Sequence, residues 1–149
     1  MKKLNRIALW IDTASARFFV PFKDFHSIQT LYSGIDLHPR EPGSGVDGTR
    51  WNNRRTSNEY NKDQRERELF KRYFAQMHQI LQAYDEILLL GPGQTKKELR
   101  NHLELLPVFR DKSIHLENAG TITDRQLVDW VNRFFETLDV GRNKIEASI

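Results

Sequence analysis

The 149-residue sequence contains no cysteine. Disulfides, thiolate catalysis and cysteine-ligated zinc are therefore excluded, and a reducing compartment is the simplest setting. Long apolar runs are also missing. The basic opening Met1-Lys2-Lys3 is followed by the run 7–11, which ends at Asp12, far short of a signal segment or a membrane span. No membrane association is expected, and the chain reads as a soluble cytoplasmic protein. Neither charge sign dominates: the formal net charge is +3 and the pI about 9.3, mildly basic and compatible with nucleic acid without requiring it. The five histidines, at 26, 38, 78, 102 and 115, show no metal-site spacing, so no metal is expected. No serine has an evident histidine and acid to activate it, and no catalytic residue is assigned.

What the chain does have is a buried-strand signal followed by a sharp turn. Glu86-Ile87-Leu88-Leu89-Leu90 runs without alternation, as a strand covered on both faces requires. It stops at Gly91-Pro92-Gly93. Thr95-x-x-Glu98 then has the pattern of a capping box, predicting a helix from 96 to about 106. The junction of Gly91, Gly93, Thr95, Lys96 and Lys97 is a candidate phosphate-binding turn, because backbone N–H groups, the helix dipole and two ammonium groups converge there. The bland alternative is a structural turn with two solvated lysines. The turn lacks the longer glycine loop and Lys-Ser/Thr ending of an ATP-binding loop, and no cofactor is implied.

Elsewhere, 7–11 reads as a second buried strand, 17–22 as its hairpin partner and 26–32 as an outer strand with one wet face. Residues 61–84 predict a helix with Leu69, Phe70, Tyr73, Phe74, Met77, Ile80, Leu81 and Tyr84 on its apolar face, and with a polar first half projecting into water. Residues 113–116 form a short strand. Thr123-x-x-Gln126 is another capping box, and its helix carries Leu127, Val131, Phe134 and Leu138, with Val128, Trp130 and Phe135 beside them. Gly141 is expected to end that helix, leaving a loose polar tail at 142–149. The result is one domain over 1–141. Its fold class is α/β: a five-stranded mixed sheet in the order β-β-β-α-β-α-β-α, with helices on both faces.

Between strand and helix, residues 33–60 read as a long basic loop without apolar periodicity. Arg50, Arg54 and Arg55 lie within six positions without an intervening acid. Trp51 offers a stacking face and Asn52 can donate and accept, so the segment is a candidate RNA contact. The alternative is a solvated loop whose Trp51 tucks back onto its own domain.

Three motifs carry a family resemblance. They are Ala8-Leu9-Trp10-Ile11-Asp12-x-x-x-Ala16-Arg17-Phe18, Glu86-Ile87-Leu88-Leu89-Leu90-Gly91-Pro92-Gly93-x-x-Lys96-x-x-Leu99, and Thr123-Asp124-x-Gln126-Leu127-Val128. In order and spacing the chain resembles the central domain of class 1 peptide-chain release factors of archaea and eukaryotes and of their Pelota-type relatives. It looks most like the small bacterial one-domain translational machinery proteins related to that domain. The resemblance implies a ribonuclease H-like sheet and proximity to the ribosome, ribosomal RNA or tRNA. It does not imply peptide release. The Gly-Gly-Gln tripeptide of release factors is missing from 33–60, which holds Gly43-Ser44-Gly45 instead, and Gly93-Gln94 lies in a different loop. The leading expectation is a non-catalytic, translation-associated RNA- or ribosome-binding module. Two others remain open: a protein-interaction or self-association module acting through a sheet edge or the long helix, and a metal-dependent nuclease using Asp12.

Overall fold

The computed structural model describes residues 4–35 and 48–147, with the side chains of Phe25, 48–60 and 143–147 outside that description. Five strands form one mixed sheet: β1 (Arg6–Ile11), β2 (Ser15–Phe19), β3 (Gln29–Tyr32), β4 (Glu86–Gly91) and β5 (Ser113–Asn118), ordered β3-β2-β1-β4-β5. The first three pair as an antiparallel meander. β4 lies parallel to β1 on one side and to β5 on the other. The two unbroken apolar runs thus occupy the centre, where both faces are covered.

Three helices cover the sheet: α1 (Gly48–Leu81), α2 (Thr95–Glu104) and α3 (Asp124–Ala147). Side chains alternate across a strand, so odd and even positions serve different layers. Ile7, Leu9, Ile11, Ile87 and Leu89 meet Tyr73, Met77 and Leu81 of α1 and Leu99 and Leu103 of α2. Ala8, Trp10, Leu88 and Leu90 meet Leu127, Val131 and Phe135 of α3. The expected mixed sheet with helices on both faces is what forms. No helix among the described residues is long and apolar enough to cross a membrane.

Several boundaries differ from the sequence expectation. Residues 33–60 are not a loop throughout, since α1 begins at Gly48. Periodicity misses these turns because apolar spacing reports burial, and residues 61–65, next along the helix, are exposed on every side. Such turns propagate from the anchored part of the helix. The expected loose tail is also corrected: α3 runs through Gly141 to Ala147. A helical glycine costs only about 1 kcal/mol, and the next residue, Arg142, is held by an ion pair to Glu86. β2 ends at Phe19, before Pro21, and Phe22 adopts φ 67°, its N–H donating to Asn132 Oδ1 at 2.8 Å. Residues Phe25–Ser27 form a 3-10 turn, shortening the outer strand. The Thr123–Gln126 capping box is present as expected, with reciprocal bonds of 2.8 and 3.1 Å.

Candidate functional site

The carboxyl ends of β1 and β4 open into a cleft of about 450 Å³, lined by Asp12, Thr13, Phe70, Gly93, Thr95 and Glu98 among others. Gly91 makes its floor possible. A Cβ on Gly91 would lie 2.1 Å from the Ile11 carbonyl oxygen, and the residue has φ +147°. Only glycine lets the end of β4 come so close to β1. Gly93 follows in the left-handed region at φ +64°, turning the chain into α2.

Asp12 is used as a turn residue. Its Oδ1 accepts the N–H groups of Ala14 and Ser15 at 2.9 and 2.8 Å, the arrangement of an Asx turn. Its carbonyl accepts the Tyr73 hydroxyl at 3.2 Å. Burial, and then the charge of Asp12, push the Tyr73 pKa well above its ordinary value. The hydroxyl is therefore a donor at neutral pH. A nuclease at Asp12 would need further acids converging on it; Asp124 is paired with Arg17 at 2.6 Å, Glu117 lies on β5 and Glu66 on α1, while Asp36 falls outside the described residues. No group of three or more His, Asp or Glu among the described residues could hold a metal ion.

The phosphate-turn expectation changes in detail. Thr95 and Glu98 do not form a capping box: Gln94 is the cap residue, in helical geometry and without a side-chain bond, and Thr95 is the first residue of α2. Lys96 is not solvated. It is 1% exposed, and its Nζ donates to the Gly93 carbonyl at 2.9 Å, closing the turn from inside. Burial, and then the charge of Lys97, push the Lys96 pKa down. Of the two lysines only Lys97 reaches solvent. Gly91, Gly93, Thr95 and Lys96 are brought together, but the cleft beside them is lined by two carboxylates and no lysine.

Arg50, Trp51, Asn52, Arg54 and Arg55 fall on the first turns of α1, and their side chains lie outside the described residues. The cleft is reached by the same helix at Phe70. Fifteen residues separate Arg55 from Phe70, about 22 Å along a helix axis. The two candidate sites are separate places.

Two features went unread in the sequence. One is a buried ionic cluster at the amino end of β4: Glu86 is 1% exposed and meets Arg6 at 2.8 Å, His115 at 3.3 Å and Arg142. The other is a groove of about 810 Å³ along the outer side of α3, with Trp130, Phe134 and Leu138 in its wall. Its signal was present, because apolar residues of this helix exceed one stripe. Comparison with protein-family models finds none that matches the chain, and comparison with curated proteins finds no match.

Proposed function

We propose that the chain is a cytoplasmic, non-catalytic RNA- or ribosome-binding module of the translation apparatus, built on a ribonuclease H-like sheet. The observation that carries this reading is the position of the basic segment on α1. Arg50, Trp51, Asn52, Arg54 and Arg55 occupy the first turns of a 34-residue helix whose last turns are fixed in the core by Tyr73, Met77 and Leu81. The intervening residues 61–65 are exposed. The arginine-bearing turns are thus joined by one continuous helix, through an exposed stretch, to the part of α1 that is anchored in the core. Arginines supply phosphate contacts and an aromatic ring supplies a stacking face for an unpaired base. The resemblance of the sequence motifs to release-factor central domains supports the same class of partner, ribosomal RNA or tRNA. The Gly91–Lys97 turn is at most a secondary contact through Lys97.

The test is co-sedimentation with ribosomes at low and raised salt, beside a triple Arg50/Arg54/Arg55→Ala variant. Phosphate-driven binding falls steeply with salt. Salt-sensitive pelleting that the variant loses supports the reading. Absence of pelleting at low salt overturns it.

A further inference from the structure

The free edge of β5 and the groove beside it carry an inference independent of RNA binding. β5 is the last strand of the sheet, and no strand among the described residues pairs with its outer side. Strand residues alternate in which neighbour their backbone groups address. The N–H of Ser113 bonds the Asp85 carbonyl at 3.0 Å, and that of Ala119 bonds the Gly91 carbonyl at 3.2 Å. The odd positions of β5 therefore face β4, and Ile114, Leu116 and Asn118 direct their N–H and C=O groups outward. The strand has neither proline nor lysine, the residues that usually guard an edge.

We propose that β5 pairs with β5 of a second copy of this chain, antiparallel about a two-fold axis at Leu116. The register follows from the chemistry. Outward groups must meet outward groups, so even positions pair with even ones. An axis at His115 would set histidine against histidine, and one at Glu117 would set carboxylate against carboxylate. An axis at Leu116 pairs Leu116 with itself and Ile114 with Asn118. His115 then faces Glu117 of the partner subunit, twice, in the close non-hydrogen-bonded positions where cross-strand side chains interact most. Glu117 has no ion pair among the described residues, and His115 uses only its Nε2, toward Glu86. The other edge, β3, is Gln29-Thr30-Leu31-Tyr32 and offers no such complementary pair.

The groove fits the same axis. His115 and Glu117 project to the α3 side of the sheet: His115 packs edge-on to Phe134 at 5.3 Å between ring centroids, and Glu117 lines the groove. A two-fold axis normal to the sheet keeps both α3 helices on one face. The Trp130, Phe134 and Leu138 wall of each copy then faces its counterpart across the seam, giving a ten-stranded sheet.

Sedimentation velocity at tens of micromolar is expected to give twice the mass of the 17.6 kDa chain. Glu117→Lys changes a half-buried side chain that has no ion pair among the described residues; with the fold verified by circular dichroism, it should weaken the dimer on the order of tenfold. Because the chain has no cysteine, register can be read by cross-linking. An oxidised mixture of His115→Cys and Glu117→Cys chains should give a covalent dimer, and either variant alone should give far less. A monomeric wild type overturns the proposal. So does a dimer that Glu117→Lys leaves unchanged, or one without the selective cross-link.

Discussion

Arg6 and Glu86 are register partners on β1 and β4, and Arg6 Nε donates to Glu86 Oε1 at 2.8 Å. Arg142 and His115 complete the shell around the carboxylate, and Arg6 continues to Asp139. Burial would push the Glu86 pKa up, but hydrogen bonds from Arg142, His115 and Arg6 outweigh it and hold the group below its ordinary 4.5. A lowered carboxyl pKa contributes stability that is present above 4.5 and lost as pH falls through the folded value. Glu86→Gln removes the buried anion from between the partly exposed Arg6 and Arg142, and should cost about 2 kcal/mol in urea unfolding at neutral pH. The same variant should show a shallower loss of stability on acidification. An unchanged midpoint would mean that the cluster adds nothing.

His78 on α1 and His102 on α2 place Nδ1 and Nε2 3.3 Å apart. Burial, and then the neighbouring His78, push the His102 pKa below 6.5. For a base, that lowered value favours the neutral form in the folded protein. Its contribution is whole above 6.5 and is lost as pH falls toward the folded pKa. The unfolding free energy should therefore decline on acidification below this point, by at most about 1.4 kcal/mol per pH unit for one proton. His102→Gln should flatten that part of the profile while leaving the more acidic decline from Glu86 in place. A profile identical to wild type would remove the histidine pair as its cause.

Two glycines should respond in opposite directions. Gly91→Ala forces a methyl group against the Ile11 carbonyl, 2.1 Å away, in a positive-φ residue. The sheet must open, at about 3 kcal/mol. Gly141 lies inside α3 with nothing within 4 Å of a would-be Cβ. Gly141→Ala should stabilise by about 1 kcal/mol through helix propensity. Destabilisation by Gly141→Ala would contradict a continuous α3, and chemical denaturation of both variants measures each effect.

Lys96 is a cation held from water by its own turn. Its lowered pKa means that at neutral pH the folded state carries the cost of the charge, which disappears only as pH rises toward 10.5. Lys96→Met keeps the apolar stem and loses one bond to an exposed residue's carbonyl. It should raise unfolding stability by about 1 kcal/mol at pH 7. A loss of several kcal/mol would show that the Gly93 bond organises the turn.

The sheet was legible because Ile7 to Ile11 and Ile87 to Leu90 need burial on both sides, and that need leaves an unbroken apolar run. The start of α3 was legible because Thr123 and Gln126 act through local bonds. The burial of Lys96 was not, because it depends on how Gly93 turns the chain and not on any spacing. The first turns of α1 were not legible because their residues follow no apolar period, and periodicity is the signal by which a helix is read. The candidate RNA residues were visible as a cluster of charge, but their position on the first turns of α1 came only from the fold.

β4 divides its apolar residues evenly between the two interiors. Ile87 and Leu89 belong to the α1–α2 side, and Leu88 and Leu90 to the α3 side. Neighbouring residues of one strand therefore report on different halves of the molecule, joined only by shared backbone. A volume change at Leu89 is felt first between the sheet and α1–α2, and one at Leu88 first under α3, so any coupling between them must pass through the backbone they share.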